Sequence, residues 1–167
     1  PCMVEPIRLE SELFSRVKGI FDSADLSEKT VCVIGLGSGG SFGAVELAKC
    51  GVGTLILVDF DRLHTHNISR HVCGIKDVGR FKTHAVRDMI VQHSPNAKVQ
   101  CWETDITEND DQLEQLIVGS DLVFVATDNE VSKYLINDTC VSKGVPAVYG
   151  GVYERAFAGE AVRVIPG

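Results

Sequence analysis

The sequence lacks the features that mark several common classes of protein. No apolar run reaches the roughly 18 residues of a membrane-spanning helix, so we expect no membrane span. No basic cluster appears and the formal net charge is −7, which argues against a nucleic-acid or membrane partner. The first residues, which begin at Pro1, do not resemble a signal peptide. Position 1 is not an initiator Met, so we expect the chain to form part of a longer protein.

The cysteines also exclude a class of site. They stand at positions 2, 32, 50, 73, 101 and 140, and no two of them form a Cys-x-x-Cys pair. The sequence therefore predicts no zinc site within the chain. Cys32, Cys50, Cys101 and Cys140 fall in predicted strands and helices, as small buried side chains do. This pattern is typical of a reducing compartment and indicates a cytoplasmic protein.

Apolar strand-like runs alternate with helical patterns along the 167 residues. We predict strands at 30–34, 54–59, 97–102, 122–126 and 146–150, and helices at 39–51, 82–93, 111–118 and 130–143. Helical spacing over 7–22 predicts a lead-in helix within residues 1–29. Residues 60–81 show no clear periodicity of apolar residues, which predicts a long ordered loop with a short helical turn.

These elements predict an α/β fold in a single domain that covers residues 1–167. The sheet is expected to be Rossmann-like, doubly wound and mostly parallel, with helices on both faces. Residues 157–165 alternate weakly and predict a further, antiparallel strand at the C-terminus.

The first predicted strand opens into a glycine motif, Gly35-x-Gly37-x-x-Gly40. Gly35 permits a tight turn, Gly37 lets the backbone approach a phosphate, and Gly40 allows a helix to pack closely on the strand. The helix N-terminus that follows attracts anions. Asp59, which ends the second strand 19 residues after Gly40, is placed to accept hydrogen bonds from a ribose. The motif predicts a nucleotide, without saying which one.

Four further side chains indicate phosphate chemistry. Lys82 supplies a point charge, and Arg70 can form forked hydrogen bonds with phosphate oxygens. Asp128 ends the fourth predicted strand and can hold Mg²⁺, while Asn67 can position a ribose or a phosphate. Because ligands of such sheets bind at the carboxyl ends of the strands, these side chains can converge on one crevice.

The same residues resemble those of a known family. Five motifs carry the resemblance, at residues 35–40, Val58–Asp61, Asn67–Arg70, Val78–Lys82 and Ala126–Asn129. They look like the adenylation domain of the ThiF/MoeB/HesA and ubiquitin-activating superfamily. The resemblance covers the chain from about residue 12 to its end. His71, which follows Arg70, resembles bacterial ThiF-like proteins.

The resemblance implies an adenylyltransferase that uses ATP and Mg²⁺. Its substrate would be the C-terminal Gly-Gly carboxylate of a ubiquitin-like or sulfur-carrier protein. It implies that Arg70, Lys82 and Asp128 are the catalytic residues, with Arg70 and Lys82 at the phosphates and Asp128 binding Mg²⁺. The nucleotide would be held by Gly35, Gly37, Ser38, Gly39, Gly40, Asp59, Asp61 and Asn67. It also implies a homodimer in which an upstream arginine, Arg8 or Arg16, acts across the interface.

Other interpretations of the same residues stay open. The chain could be a non-catalytic partner subunit, or an NAD-dependent oxidoreductase that uses the glycine motif and Asp59. Asp128 could be a helix N-cap, and Asp61 could serve only a turn.

Two further groups of residues are ambiguous. His64, His66 and His71 are poorly spaced for a metal site. Gly150 and Gly151 indicate a close backbone approach near the nucleotide or an incoming peptide tail.

Overall fold

The computed structural model describes residues 13–14, 23–153, 155 and 157–167. Apart from residues 13 and 14, the helix predicted over 7–22 lies outside this part of the chain. Arg8 and Arg16 lie outside it as well. In the part of the chain that the structure describes, no helix combines the length and the apolar character needed to cross a membrane.

Strands and helices alternate along the chain in the predicted order. The strands are β1 (Thr30–Ile34), β2 (Thr54–Val58), β3 (Lys98–Trp102), β4 (Leu122–Val125), β5 (Ala147–Val152) and β6 (Gly159–Val164). The helices are α1 (Ser23–Ser27), α2 (Ser38–Lys49), α3 (Lys82–His93), α4 (Asp110–Val118) and α5 (Glu130–Lys143). The predicted loop over 60–81 is ordered and contains two 3₁₀ turns, Thr65–Arg70 and Ile75–Asp77.

The six strands form one sheet in the order β3-β2-β1-β4-β5-β6. All pairs are parallel except β5 and β6, which are antiparallel. The mostly parallel α/β sheet with an antiparallel C-terminal strand is thus confirmed. Because β1 pairs with β2 on one side and β4 on the other, the strand order reverses at β1. A crevice opens at the carboxyl ends of β1 and β4, where such folds bind ligands.

Alternate residues of the central strands contribute their side chains to two separate hydrophobic cores. Val31, Val33 and Leu57 pack on one face against α2 and α3, while Cys32 and Ile34 pack on the other face against α4 and α5. Successive side chains of a strand point to opposite faces, so a strand covered on both sides must be apolar throughout. This explains the unbroken apolar runs in β1 and β2.

Some predicted boundaries and burials differ from the structure. Helix α2 ends at Lys49 with Cys50 as its C-cap, before the predicted end at 51. Strand β5 continues to Val152 because its pairing with β6 extends that far. Cys32 and Cys140 are buried as expected, but Cys50 and Cys101 are only half-buried. The expectation of four buried cysteines was therefore wrong for two of them.

A close backbone approach joins β1 to α2. Gly35 has φ +87°, a conformation that favours glycine. A Cβ on Gly40 would lie 1.8 Å from the carbonyl oxygen of Gly35, which is far inside van der Waals contact. The first turn of α2 can therefore pack on the end of β1 only if residue 40 has no side chain.

We expect Gly40→Ala to lower the free energy of unfolding by about 3 kcal/mol, because the backbone must move to admit the methyl group. Urea unfolding measures this change. Gly39→Ala is the matched control, since a Cβ there has no atom within 4 Å. Its stability should be unchanged or raised by up to about 1 kcal/mol. Equal destabilisation by the two variants would contradict the packing role of Gly40.

Candidate functional site

A cavity of about 890 Å³ lies at the carboxyl ends of the strands. The predicted nucleotide residues that line it are Gly35, Gly37, Ser38, Gly39, Asp59, Asp61, Asn67, Arg70, Lys82 and Asp128. Gly40 is not among the lining residues, which agrees with its packing role. The fold thus brings together side chains that are separated by up to 93 residues in the sequence.

The N-terminus of α2 faces this cavity with its backbone uncovered. Helix α2 begins at Ser38, and its N-cap Gly37 has no side chain that could bond the free N–H groups. A Cβ on Gly37 or Gly39 would meet no atom within 4 Å, so open space lies beside both. Free N–H groups and the helix dipole make this end of the helix suitable for a phosphate.

Asp59 directly follows β2, and its carboxylate accepts hydrogen bonds from two loop segments. Its Oδ2 accepts a hydrogen bond from the N–H of Leu36 (2.7 Å), and its Oδ1 accepts one from the N–H of Asp61 (2.8 Å). Burial raises the pKa of Asp59, although these hydrogen bonds and the charge of Lys82 oppose the shift. A carboxylate has about four acceptor sites, so Asp59 retains the capacity to bind a ribose hydroxyl.

Lys82 is the first residue of α3, and it lies at the cavity wall with only 9% of its side chain exposed. Its Nζ lies 2.7 Å from Oδ2 of Asp61 and 3.7 Å from Oδ1 of Asp59. The backbone N–H of Lys82 also donates to the carbonyl oxygen of Asp61 (3.0 Å). Asp61 therefore positions Lys82 through both side chain and backbone. An ammonium group has three donors, so a donor is still available to a phosphate.

Arg70 and Asn67 extend from the first 3₁₀ turn toward the glycine loop. Arg70 Nη1 donates to Oγ of Ser38 (2.7 Å), and this bond links the 3₁₀ turn to the start of α2. Asn67 is buried, and its Oδ1 accepts the N–H of His64 (2.9 Å). The amide nitrogen of Asn67 is left for a ligand, since the described residues offer it no hydrogen bond. Both residues line the cavity.

Asp128 is exposed and follows β4. The possibility that it caps the next helix is not realised, because Asn129 is the N-cap of α5. The Oδ1 of Asn129 accepts the N–H groups of Val131 (2.9 Å) and Ser132 (3.4 Å). The carboxylate of Asp128 is therefore free of a capping role and lines the cavity.

The three loop histidines do not form a metal site. His71 is buried, with Nε2 2.9 Å from the carbonyl oxygen of Leu36, while its Nδ1 accepts the N–H of Cys73 (3.1 Å). Both ring nitrogens are thus engaged, and Nε2 must carry the proton in order to donate. Burial lowers the pKa of His71 and holds the ring neutral at pH 7. His64 and His66 stack on one another with ring centroids 5.4 Å apart.

Sequence reasoning missed several residues of the cavity. Among them are Glu130 and Lys133 on α5, Glu160 on β6 and the segment 104–107 after β3. The position of 104–107 at the carboxyl end of a strand was a usable signal. Within the lining, six carboxylates (Asp59, Asp61, Asp105, Asp128, Glu130 and Glu160) face three cationic side chains (Arg70, Lys82 and Lys133). An anionic ligand would therefore need an accompanying cation.

The reversal of strand order, the glycine turn and the acid after β2 define the class of a Rossmann-type nucleotide-binding fold. The ThiF family model matches residues 12–167. The chain therefore belongs to the ThiF family.

Relatives and solved structures of this family cover most of the chain. It is 37% identical over 144 residues to "Probable adenylyltransferase/sulfurtransferase MoeZ" of Mycobacterium tuberculosis, covering 86% of this chain and 36% of that protein. It is 32% identical to the SAMP-activating enzyme E1 of Haloferax volcanii, and the match covers 84% of this chain and 51% of that protein. Among solved structures, the chain superposes on the E. coli tRNA N6-threonylcarbamoyladenosine dehydratase TcdA in complex with ATP, with a TM-score of 0.80 and 26% sequence identity. That match covers 89% of this chain and 63% of the TcdA chain. The chain thus spans about a third to a half of the curated relatives it matches.

The neutral His71 should make the fold sensitive to acid. Its pKa is lowered from 6.5 in the folded state, so below about pH 6.5 the unfolded chain binds a proton that the folded chain does not. The stability contribution is fully present above 6.5 and is lost as the pH falls toward the folded-state pKa. We expect His71→Gln, which keeps a donor for Leu36, to reduce the slope of unfolding free energy against pH by up to about 1.4 kcal/mol per unit.

Urea unfolding at about pH 7.5 and about pH 5.5 measures this difference. His93→Gln, at the exposed end of α3, is the matched control and should keep the wild-type slope. Identical slopes for the wild type and His71→Gln would show that His71 titrates alike in both states.

Proposed function

We propose that this chain is the nucleotide-binding domain of an adenylyltransferase. In this proposal residues 1–167 act as one domain, bind Mg-ATP, and transfer its adenylyl group to the C-terminal carboxylate of a ubiquitin-like or sulfur-carrier protein. One observation carries it, namely the convergence of Arg70, Lys82 and Asp128 with the N-terminus of α2 in one cavity. The names of the relatives, which include an adenylyltransferase and an activating enzyme, support the same reaction class.

The donors around the cavity fit a nucleoside triphosphate. The N-terminus of α2 offers backbone N–H groups, while Arg70 and Lys82 offer charged donors from two other segments. Asp59 would hold the ribose, and Asn67 would add an amide donor near the phosphates. Arg70 is already fixed by its 2.7 Å bond to Ser38, so its guanidinium group is oriented before a ligand binds. Such preorganised charge stabilises the transition state of phosphoryl-group chemistry.

The negative charge of the cavity supports a magnesium ion. Six carboxylates against three cationic side chains would repel a free triphosphate. Asp128 is exposed, has no capping role, and offers the hard oxygen ligands that Mg²⁺ prefers. We infer that Asp128 holds Mg²⁺ and that ATP binds as its magnesium complex.

The reaction needs little from the protein beyond position and charge. Bound Mg-ATP would supply the adenylyl group and the pyrophosphate leaving group. A C-terminal carboxylate is already ionised at neutral pH, so the chain needs no general base. Arg70 and Lys82 would neutralise charge on the departing phosphates, and the walls of the cavity would hold the carboxylate in line.

The carrier tail would enter beside the end of β5. Gly150 and Gly151 line the cavity, and a Cβ on Gly151 would lie 3.0 Å from Glu160. Because these two residues have no side chains, the backbone of β5 is accessible there to an extended tail, such as one that ends in Gly-Gly. We further propose a homodimer, with Arg8 or Arg16 of one protomer acting at the cavity of its partner.

Two other functions compete with this proposal. An NAD-dependent oxidoreductase would use the glycine loop and Asp59 but has no role for Arg70, Lys82 or Asp128. A non-catalytic partner subunit would have no need of the cationic residues in the cavity. Calorimetric titration with Mg-ATP and, separately, with NAD distinguishes all three.

We expect Mg²⁺-dependent ATP binding that Asp128→Asn weakens by at least about tenfold, since one ligand of the metal is lost. Asp138→Asn, on the exposed surface of α5 and away from the cavity, is the matched control and should bind as wild type. NAD binding in place of ATP binding would refute the proposal, and binding of neither nucleotide would favour the partner subunit.

Arg70→Ala and Lys82→Ala should each reduce carrier-dependent pyrophosphate exchange by about 10²- to 10³-fold, because each removes charge that stabilises the transition state. Arg163→Ala and Lys76→Ala alter exposed residues outside the cavity and should keep wild-type activity. Thermal unfolding of each variant separates loss of activity from loss of folding. Full exchange activity in either Arg70→Ala or Lys82→Ala would overturn that residue's assignment.

The substrate class requires a separate test with the full-length protein. Ubiquitin-like and sulfur-carrier proteins from the same organism should support pyrophosphate exchange. Removal of their last two residues should abolish it, because the reacting carboxylate is then withdrawn from the cavity. Equal exchange with intact and truncated carriers would exclude the C-terminal carboxylate as the acceptor.

A further inference from the structure

A second group of polar side chains lies outside the cavity, on the far edge of the sheet. His84 comes from the first turn of α3, Cys101 from the edge strand β3, and Glu103 from just after that strand. One ligand atom from each of the three lies within 4.8 Å of the others. None of these residues takes part in the proposed nucleotide site.

We propose that His84, Cys101 and Glu103 bind a divalent transition-metal ion such as Zn²⁺, with the fourth coordination position open to water. An imidazole, a thiolate and a carboxylate are all ligands that zinc accepts. The site joins α3 to the end of β3. It stands independently of the proposed function and was not foreseen in the sequence, because the three residues do not form a Cys-x-x-Cys motif.

The distances suit a tetrahedral ion. Zinc–ligand bonds of about 2.0 to 2.3 Å place the ligand atoms roughly 3.3 to 3.8 Å apart. The Nε2 of His84 lies 3.0 Å from Oε1 of Glu103, and all three atoms lie within 4.8 Å. These separations are close to those of a tetrahedral site, and we expect side-chain rotation to supply the remaining adjustment.

The surroundings hold the ligands in place. The Oγ1 of Thr83, a fully buried residue, donates to Oε1 of Glu103 (2.7 Å) and orients the carboxylate. Cys101 pairs with Leu57 of β2 in the sheet register, which places its backbone on the edge strand. Such hydrogen bonds to metal-binding carboxylates are a usual feature of zinc sites.

Zinc must displace a proton from the thiol. Burial raises the pKa of Cys101, although the nearby charge of Arg87 opposes the shift. Formation of the zinc–sulfur bond breaks the S–H bond and releases the proton to solvent. The ion would then neutralise the two anionic ligands and fix the start of the segment 104–107, which forms one wall of the nucleotide cavity.

Cobalt titration of the reduced, metal-free chain tests this proposal without any nucleotide. We expect one Co²⁺ per chain, with a thiolate–cobalt charge-transfer band that Zn²⁺ bleaches. Cys101→Ser should abolish the band. His84→Ala and Glu103→Gln should weaken binding by at least about tenfold. Because Glu103 is partly exposed, we expect its variant to retain the fold even if the others do not.

Matched controls change a cysteine and a histidine that lie outside the cluster. Cys50→Ser at the end of α2 and His93→Ala at the end of α3 should leave cobalt binding unchanged. Zinc should also raise the unfolding temperature of the wild type but not of Cys101→Ser.

Two outcomes would overturn the site: a wild-type chain that binds no cobalt, or a band that persists in Cys101→Ser. A chain that binds cobalt but not ATP would refute the proposed function and leave the metal site intact.

Discussion

The buried carboxylate of Asp59 joins the segments from which the cavity is built. It accepts the N–H of Leu36 in the glycine loop and the N–H of Asp61 after β2, and it lies 3.7 Å from the ammonium group of Lys82 at the start of α3. An unpaired carboxylate would be costly at this depth. The loop, the strand end and the helix start must therefore keep this arrangement together, and the cavity keeps its shape.

The electrostatics of the cavity follow from that constraint. Asp61 and Asp59 hold the ammonium group of Lys82 at the cavity wall. Arg70 is tied to Ser38 but has its other donors to spare. The N-terminus of α2 adds partial positive charge, while the surplus of carboxylates favours a ligand that brings a cation. The proposed magnesium-bound polyphosphate would satisfy both requirements.

Much of this arrangement was predictable because it depends on local rules. Unbroken apolar runs in the sequence predicted β1 and β2, and the glycines predicted the turn and the start of α2. The positions of Asp59, Arg70 and Lys82, after a strand or at a helix start, predicted that they share one crevice, and all three line the cavity. The cap of α5 was not predictable in this way, because Asp128 and Asn129 are adjacent and both residue types cap helices well. Backbone geometry assigns the cap to Asn129 and leaves Asp128 for the cavity.

The sequence by itself determined the order of strands and helices, the glycine turn and membership of the ThiF family, since each depends on neighbouring residues and their spacing. Only the tertiary structure decided which distant side chains meet. The ion pair of Lys82 with Asp61, the bond from Arg70 to Ser38 and the cluster of His84, Cys101 and Glu103 all join separate segments. Such contacts depend on how strands, helices and loops pack together in three dimensions, and no periodicity in the sequence encodes them.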